Sequence, residues 1–262
     1  MKRQIIRSTA LFGVLLFAVA GAFSQGVYWE STMSGTPMGD QVSKMYYMPK
    51  MFKQISNQTG EEMIVRLDKQ MLYTVTTKEK TYSEMTFAEL EAGMKKAGSK
   101  TDEKMQELQK QLESMPAEQR KAIEQQMGGM LPGKGKDAKF EVSNAGDKKT
   151  IAGHSCTKFL VTRDGKEFMS LWVTKEIKDF DGMKKDFEEY GKRMSAMNEM
   201  MGKGMLEAMK KVDGFPMETD VMGMSTVVTK VERRSTPEGD FGVPAGFTKV
   251  KSKMFEGLDE KK

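Results

Sequence analysis

The stretch that most constrains this chain runs from Lys149 to Thr174, KTIAGHSCTKFLVTRDGKEFMSLWVT. Asp164-Gly165 lies between two runs rich in β-branched and aromatic residues, and Asp-Gly in that setting predicts a two-residue hairpin turn. With those two residues as the loop, Arg163 faces Lys166, and the pairs Val161–Phe168, Phe159–Ser170 and Thr157–Trp172 follow. The alternate positions pair as Thr162–Glu167, Leu160–Met169, Lys158–Leu171 and Cys156–Val173, because successive side chains point to opposite faces of a strand. Both faces then carry large apolar groups. Such a hairpin cannot leave one face in water, so it predicts a larger sheet covered on both sides.

Upstream, short strands are punctuated about every ten residues. Tyr28 to Met33 is followed by Val42 to Met48, which stops at Pro49-Lys50. Phe52 to Ser56, Met63 to Leu67, Met71 to Thr76 and Thr81 to Met85 complete an antiparallel meander. Periodicity changes at Thr86-Phe87-Ala88-Glu89, which has the spacing of a capping box. Met105, Leu108, Leu112 and Met115 recur at three- and four-residue steps, one apolar stripe on a charged helix that is expected to lie over a sheet. Pro116 predicts the opening of a further helix ending at Gly128-Gly129, and Leu131 to Asp137 reads as a linker.

Beyond the hairpin a helix is predicted from about Gly182 to Lys211, weakened at Gly202 and Gly204. Phe187, Tyr190, Met194, Met197, Met201 and Met205 follow one side of it and are the candidate ligand-binding residues. Three readings stay open for this stripe: packing against the core, a surface for an apolar ligand, or a thioether site for Cu(I). Phe215 to Met222 and Ser225 to Arg233 then predict another hairpin across Gly223, and Phe241 to Phe247 a turn before the tail.

Residues 1–24 have the pattern of a secretory leader, with Lys2, Arg3 and Arg7 ahead of an apolar run and small residues at Ala22 and Ser24. Without them the charge falls from +5 to 39 basic against 37 acidic residues, a net of +2. That balance offers no clustered positive face for nucleic acid. One cysteine, Cys156, excludes an internal disulfide. The single histidine, His154, stands beside Ser155, whose side chain on a strand points the other way, so a nucleophilic pair is not expected and no catalytic residue is assigned. His154 and Cys156 share a face but have no further His or Cys to complete a metal site. Neither cofactor nor metal is assigned.

Several segments resemble an uncharacterised family of exported bacterial proteins, the domain-of-unknown-function family 4412. They are YYMPKMFKQ at Tyr46 to Gln54, IVRLDKQMLYTVTTKEKTY at Ile64 to Tyr82, MPAEQRKAIEQQM at Met115 to Met127, IAGHSCTKFLV at Ile151 to Val161, WVTK at Trp172 to Lys175 and VPAGF at Val243 to Phe247. The order of strands and crossing helices is also similar to the periplasmic lipoprotein-carrier fold, in which a curved sheet, a half-open barrel, holds acyl chains against helices. Neither resemblance brings catalytic residues.

The expected architecture is therefore α+β, a curved antiparallel β-sheet, half-open and barrel-like, with helical insertions packed against it. Residues 25–258 are expected to form a single domain: a β-meander over 25–86, a helical insert over 87–131, a hairpin region over 138–174, a methionine-rich helix over 180–212 and C-terminal strands over 215–250, with a tail over 259–262. The expected role is non-enzymatic binding of an apolar ligand, a lipid or lipidated chain, in the periplasm or secreted, with peripheral contact to a membrane. The alternatives are a methionine-rich periplasmic Cu(I)-binding protein and a structural envelope protein without ligand.

Overall fold

The computed structural model describes residues 25–116, 139–178, 180–193 and 203–256. The leader, the helix expected after Pro116, the linker over 131–137 and the segment carrying Met194, Met197, Met200 and Met201 lie outside them. Six strands come first: β1 Gln25–Ser34, β2 Gln41–Met48, β3 Met51–Ser56, β4 Glu61–Arg66, β5 Met71–Thr76 and β6 Thr81–Thr86. Helix α1 spans Phe87–Ser114. Then follow β7 Phe140–Ile151, β8 His154–Arg163 and β9 Lys166–Thr174, helices α2 Phe180–Arg193 and α3 Lys203–Lys210, strands β10 Phe215–Val221 and β11 Met224–Ser235, and the short β12 Thr248–Lys249.

All twelve described strands form one sheet, in the order β12-β6-β5-β4-β3-β2-β1-β11-β10-β9-β8-β7. Every pairing is antiparallel except that of β12 with β6. At about 4.8 Å per strand a flat sheet of this size would be roughly 50 Å wide, and the intrinsic strand twist makes so wide a sheet curl. The result is a curved α+β sheet that does not close, since β12 and β7 remain its edges.

Turn chemistry explains the short connections. Asp164 and Gly165 have φ of +51° and +77°, and Ala152-Gly153 and Met222-Gly223 repeat that pair of positive values. Two left-handed residues in a two-residue loop match the twist of the flanking strands. Asp164 also accepts the Lys139 amide at 2.9 Å, tying the turn to the start of β7. At the entrance to α1, Thr86 Oγ1 accepts from the Glu89 amide at 3.2 Å while Glu89 Oε2 accepts from the Thr86 amide at 2.7 Å. This is the expected reciprocal cap.

The central hairpin differs from the expected register. Arg163–Lys166 and Thr162–Glu167 pair as anticipated, but the register shifts there and Val161 pairs with Met169 rather than Phe168. Phe168 is the extra residue of a β-bulge, and every partner beyond it moves by one. Phe159 meets Leu171 and Thr157 meets Val173. One face thus collects Phe159, Val161, Met169, Leu171 and Val173, while Lys158, Leu160, Ser170 and Trp172 share the other. The bulge sorts a hairpin that would have been apolar on both faces into one apolar face and one mixed face. Cys156 is fully buried but sits opposite Lys149, not Val173.

Across β1 to β6 the register fixes two faces. The inner face carries Val27, Tyr47, Phe52, Val65 and Leu72, all buried in one cluster with Phe87 and Leu90 of α1 and Met183 of α2. The outer face carries Met48, Met51, Ile64 and Val75, capped by Phe241 from a 3-10 turn at Glu238–Phe241. Arg66, 3 % exposed, holds that cap by donating to Asp68, to Glu238 at 2.8 Å and to the Phe241 carbonyl at 3.3 Å. The chain then passes round the β6 edge, where Thr248 and Val250 amides donate to the Lys80 and Tyr82 carbonyls. Further on, Phe255 packs against Gly93 of α1, whose missing side chain leaves room for the ring.

Candidate ligand-binding face

Cross-strand pairing sets the inner face of β1 to β6 out in rows. Val27, Tyr47, Phe52, Val65, Leu72 and Met85 lie side by side. Two residues along each strand, the next row is Trp29, Met45, Gln54, Met63, Thr74 and Ser83. The third begins Ser31, Ser43 and Ser56 and continues with Glu61, Thr76 and Thr81 at the strand ends. Apart from Met85, the first row is buried; Met45, Gln54, Met63 and Thr74 are half-buried, as is Ser43, whose hydroxyl lies 3.0 Å from that of Ser31. Along about 14 Å of strand, at 3.4 Å per residue, the face grades from hydrocarbon through thioether and amide to hydroxyl.

Helix α2 crosses this face. Met183, Phe187 and Tyr190 recur at four- and three-residue steps, so they lie on one side of the helix. Met183 is fully buried, and the Phe187 ring sits 4.5 Å from that of Phe52. Tyr190 is 6.2 Å from Phe87, and burial pushes its phenol pKa up. One buried carboxylate fixes the helix in register. Asp186, on the same side, accepts from the Tyr47 hydroxyl at 3.0 Å and the Lys50 amide at 2.7 Å, and the Lys50 ammonium lies 3.0 Å from its other oxygen. Lys184 donates to the Lys210 and Val212 carbonyls, joining α2 to the C-terminal end of α3. Helix C-termini expose such carbonyls, and a lysine there satisfies them.

The candidate residues of the methionine stripe separate. Phe187, 37 % exposed, and half-buried Tyr190 belong to the inner face, together with Met45, Met63, Met85 and Met94 packed at its margin. Met205 is buried elsewhere, among Val161, Met169, Leu171, Val173 and Val212 under α3. Met194, Met197 and Met201 lie outside the described residues. The sheet methionines were not singled out by sequence reasoning. Their signal is a cross-strand one: Met45, Met63 and Met85 fall on one face only once the pairing of five strands is known.

His154 lies 3.0 Å from Glu176, which also accepts the Ser155 amide. Cys156 donates to the His154 carbonyl, and burial raises its thiol pKa. No described helix is long and apolar enough to cross a membrane.

Residues 120–247 match the family described as "Domain of unknown function (DUF4412)", just under half of the chain. The segments IAGHSCTKFLV, WVTK and VPAGF fall within that match, whereas the two N-terminal segments precede it. No curated protein matches the sequence. Among solved structures, an uncharacterised conserved protein from Thermus thermophilus is similar at 8 % identity and a TM-score of 0.41, over 86 % of this chain and 90 % of that one. MucB is similar at 8 % identity and a TM-score of 0.37, over 86 % of this chain and 60 % of its own. PNGF-II is similar at 8 % identity and a TM-score of 0.37, over 89 % of this chain and 32 % of its own. Likeness at these scores carries no inference about function.

Proposed function

We propose that this chain, whose residues 120–247 match that uncharacterised family, binds an amphiphile with a long apolar chain, such as a lipid or a lipidated peptide, on the inner face of β1 to β6. The observation that carries the reading is the graded face itself. An amphiphile laid along the strands would place hydrocarbon against Phe52, Val65 and Leu72, flex Met45, Met63 and Met94 around its middle, and leave its head among Ser31, Ser43 and Thr76. Methionine suits such a surface because its unbranched thioether adapts to chains of differing shape. Phe187 and Tyr190 on α2 are the stripe residues placed to cover the chain, and Met194, Met197 and Met201 extend that side in sequence. Met205 serves as core packing under this reading.

The role is non-enzymatic, and the chain acts as an exported protein of the bacterial envelope, the leader pattern at 1–24 being its basis. Residues 25–258 act as one domain, supported by the sheet that runs unbroken through all twelve strands. Native mass spectrometry of protein purified from its own envelope fraction tests the function. The expected result is a retained lipid lost in Met63→Lys, which puts a charge in the middle of the face. Protein that carries no lipid, and takes up none from mixed vesicles, would overturn the reading.

A further inference from the structure

Among the described residues, four of the five exposed methionines sit at one end of the sheet, the fifth being Met254. Met33, Met38, Met222 and Met224 are 40, 76, 74 and 47 % exposed, and all four lie on or beside two neighbouring connections, the β1–β2 loop and the β10–β11 turn. The two connections touch: a β-carbon at Gly35 would stand 2.4 Å from the Gly223 carbonyl oxygen and 3.3 Å from the Met224 α-carbon. Register brings the sulfurs' carriers together. Met33 pairs with Thr226 and Ser34 with Ser225, so Met224 is the diagonal neighbour of Met33 on the same face. Diagonal β-carbons lie about 7 Å apart, within reach of two long side chains. Met222 is the first residue of the intervening turn, at φ +53°. It also lines a small cleft with Phe168, Met169 and Asp220, and the Asp220 carboxylate accepts the Gly223 amide of the same turn at 3.4 Å.

Zinc or a hard cation has no candidate here, since no group of three His, Cys, Asp or Glu side chains able to hold one occurs among the described residues. Thioethers select differently. They are soft, neutral donors that bind d10 monovalent ions and ignore hard ones. We propose that Met33, Met222 and Met224 form a surface thioether site for a soft monovalent cation of the Cu(I) or Ag(I) class. Met33 lies two residues beyond Ser31 on the inner face, so the site borders the hydroxyl end of that face, and a thioether site there does not depend on whether the face binds an amphiphile.

The test uses the full chain labelled at its methionine methyl groups and titrated with Ag(I), which needs no reductant. The methyl resonances of Met33, Met222 and Met224 should shift first and together, within one equivalent. The triple variant M33L/M222L/M224L should lose about tenfold or more in Ag(I) affinity, because leucine keeps the bulk but offers no donor. Met222→Leu alone, at a position too exposed to affect folding, should weaken binding by about threefold or more. First shifts at other methionines, or variants that bind Ag(I) as tightly as the parent, would overturn the proposal.

Discussion

Replacing Asp186 by alanine removes the one buried carboxylate that fixes α2 on the sheet. Its side chain is 8 % exposed and accepts two hydrogen bonds, from the Tyr47 hydroxyl at 3.0 Å and the Lys50 amide at 2.7 Å. A hydrogen bond to a charged group contributes about 1.5–3 kcal/mol. The Lys50 ammonium adds nothing measurable, because it is open to solvent and already paired with Glu189 at 2.7 Å. Tyr47 near the end of β2 and Lys50 in the β2–β3 connection are close in the chain, so the two losses overlap, and the expected cost is about 2–4 kcal/mol. Asp186→Asn keeps one carbonyl oxygen in place and should cost about half as much. Urea unfolding followed by circular dichroism gives the global figure, and amide exchange along α2 shows whether the loss is local. An Asp186→Ala midpoint that corresponds to less than about 0.5 kcal/mol, with α2 amides as protected as before, would refute the pinning of this helix.

Gly165 has φ of +77°, so Gly165→Val should cost about 1–3 kcal/mol in urea unfolding, and an unchanged midpoint would mean that the turn does not depend on a left-handed residue there. A β-carbon at Gly93 would lie 2.3 Å from the Phe255 ring, so Gly93→Ala should speed exchange of the Thr248 and Val250 amides, and Phe255→Ala should relieve the clash without restoring that protection. Hydrogen bonds from Arg66 hold the Asp68 carboxyl below the ordinary aspartate value, against the opposing effect of burial. Because the folded value is the lower one, this contribution is present above the unfolded value of about 3.9 and is lost as pH falls through the folded value. Wild-type unfolding free energy should therefore drop on acidification below about pH 4, and Asp68→Asn should be less stable at neutral pH but flatter across that window.

Most of the sheet is legible in the sequence because alternation and turn residues coincide. Pro49-Lys50, Asn57 to Gly60, Asp164-Gly165 and Gly223 each mark a reversal, and the runs between them form the strands. The bulge at Phe168 was not legible: nothing in KEFMSLWV distinguishes a bulged register from a regular one, and it is the apolar face under α3 that selects it. For the same reason Trp172 falls on the mixed face, half-buried, with the Lys149 ammonium 4.2 Å from its ring. Most of β7 was missed because it is an exposed edge strand, charged at Glu141, Asp147, Lys148 and Lys149 and broken by a register shift between Asn144 and Lys148. Charge and irregularity are how edges resist further pairing, and they also erase the strand pattern. The methionine stripe reads as one surface on a helical wheel, yet Met205 and the pair Phe187 and Tyr190 serve separate clusters. The graded inner face needed the cross-strand register, which no single segment contains.

Photolabelling with a diazirine-bearing fatty acid, followed by peptide mapping of the adducts, tests the amphiphile site directly. Adducts are predicted on the β2, β4 and β6 peptides that carry Met45, Met63 and Met85, and on the α1 and α2 peptides that carry Met94 and Tyr190. Excess unlabelled lipid should abolish them, and Met63→Lys should reduce them sharply. Labelling confined to the outer face around Tyr73 and Tyr82, or labelling that excess lipid leaves unchanged, would contradict an amphiphile site on the inner face.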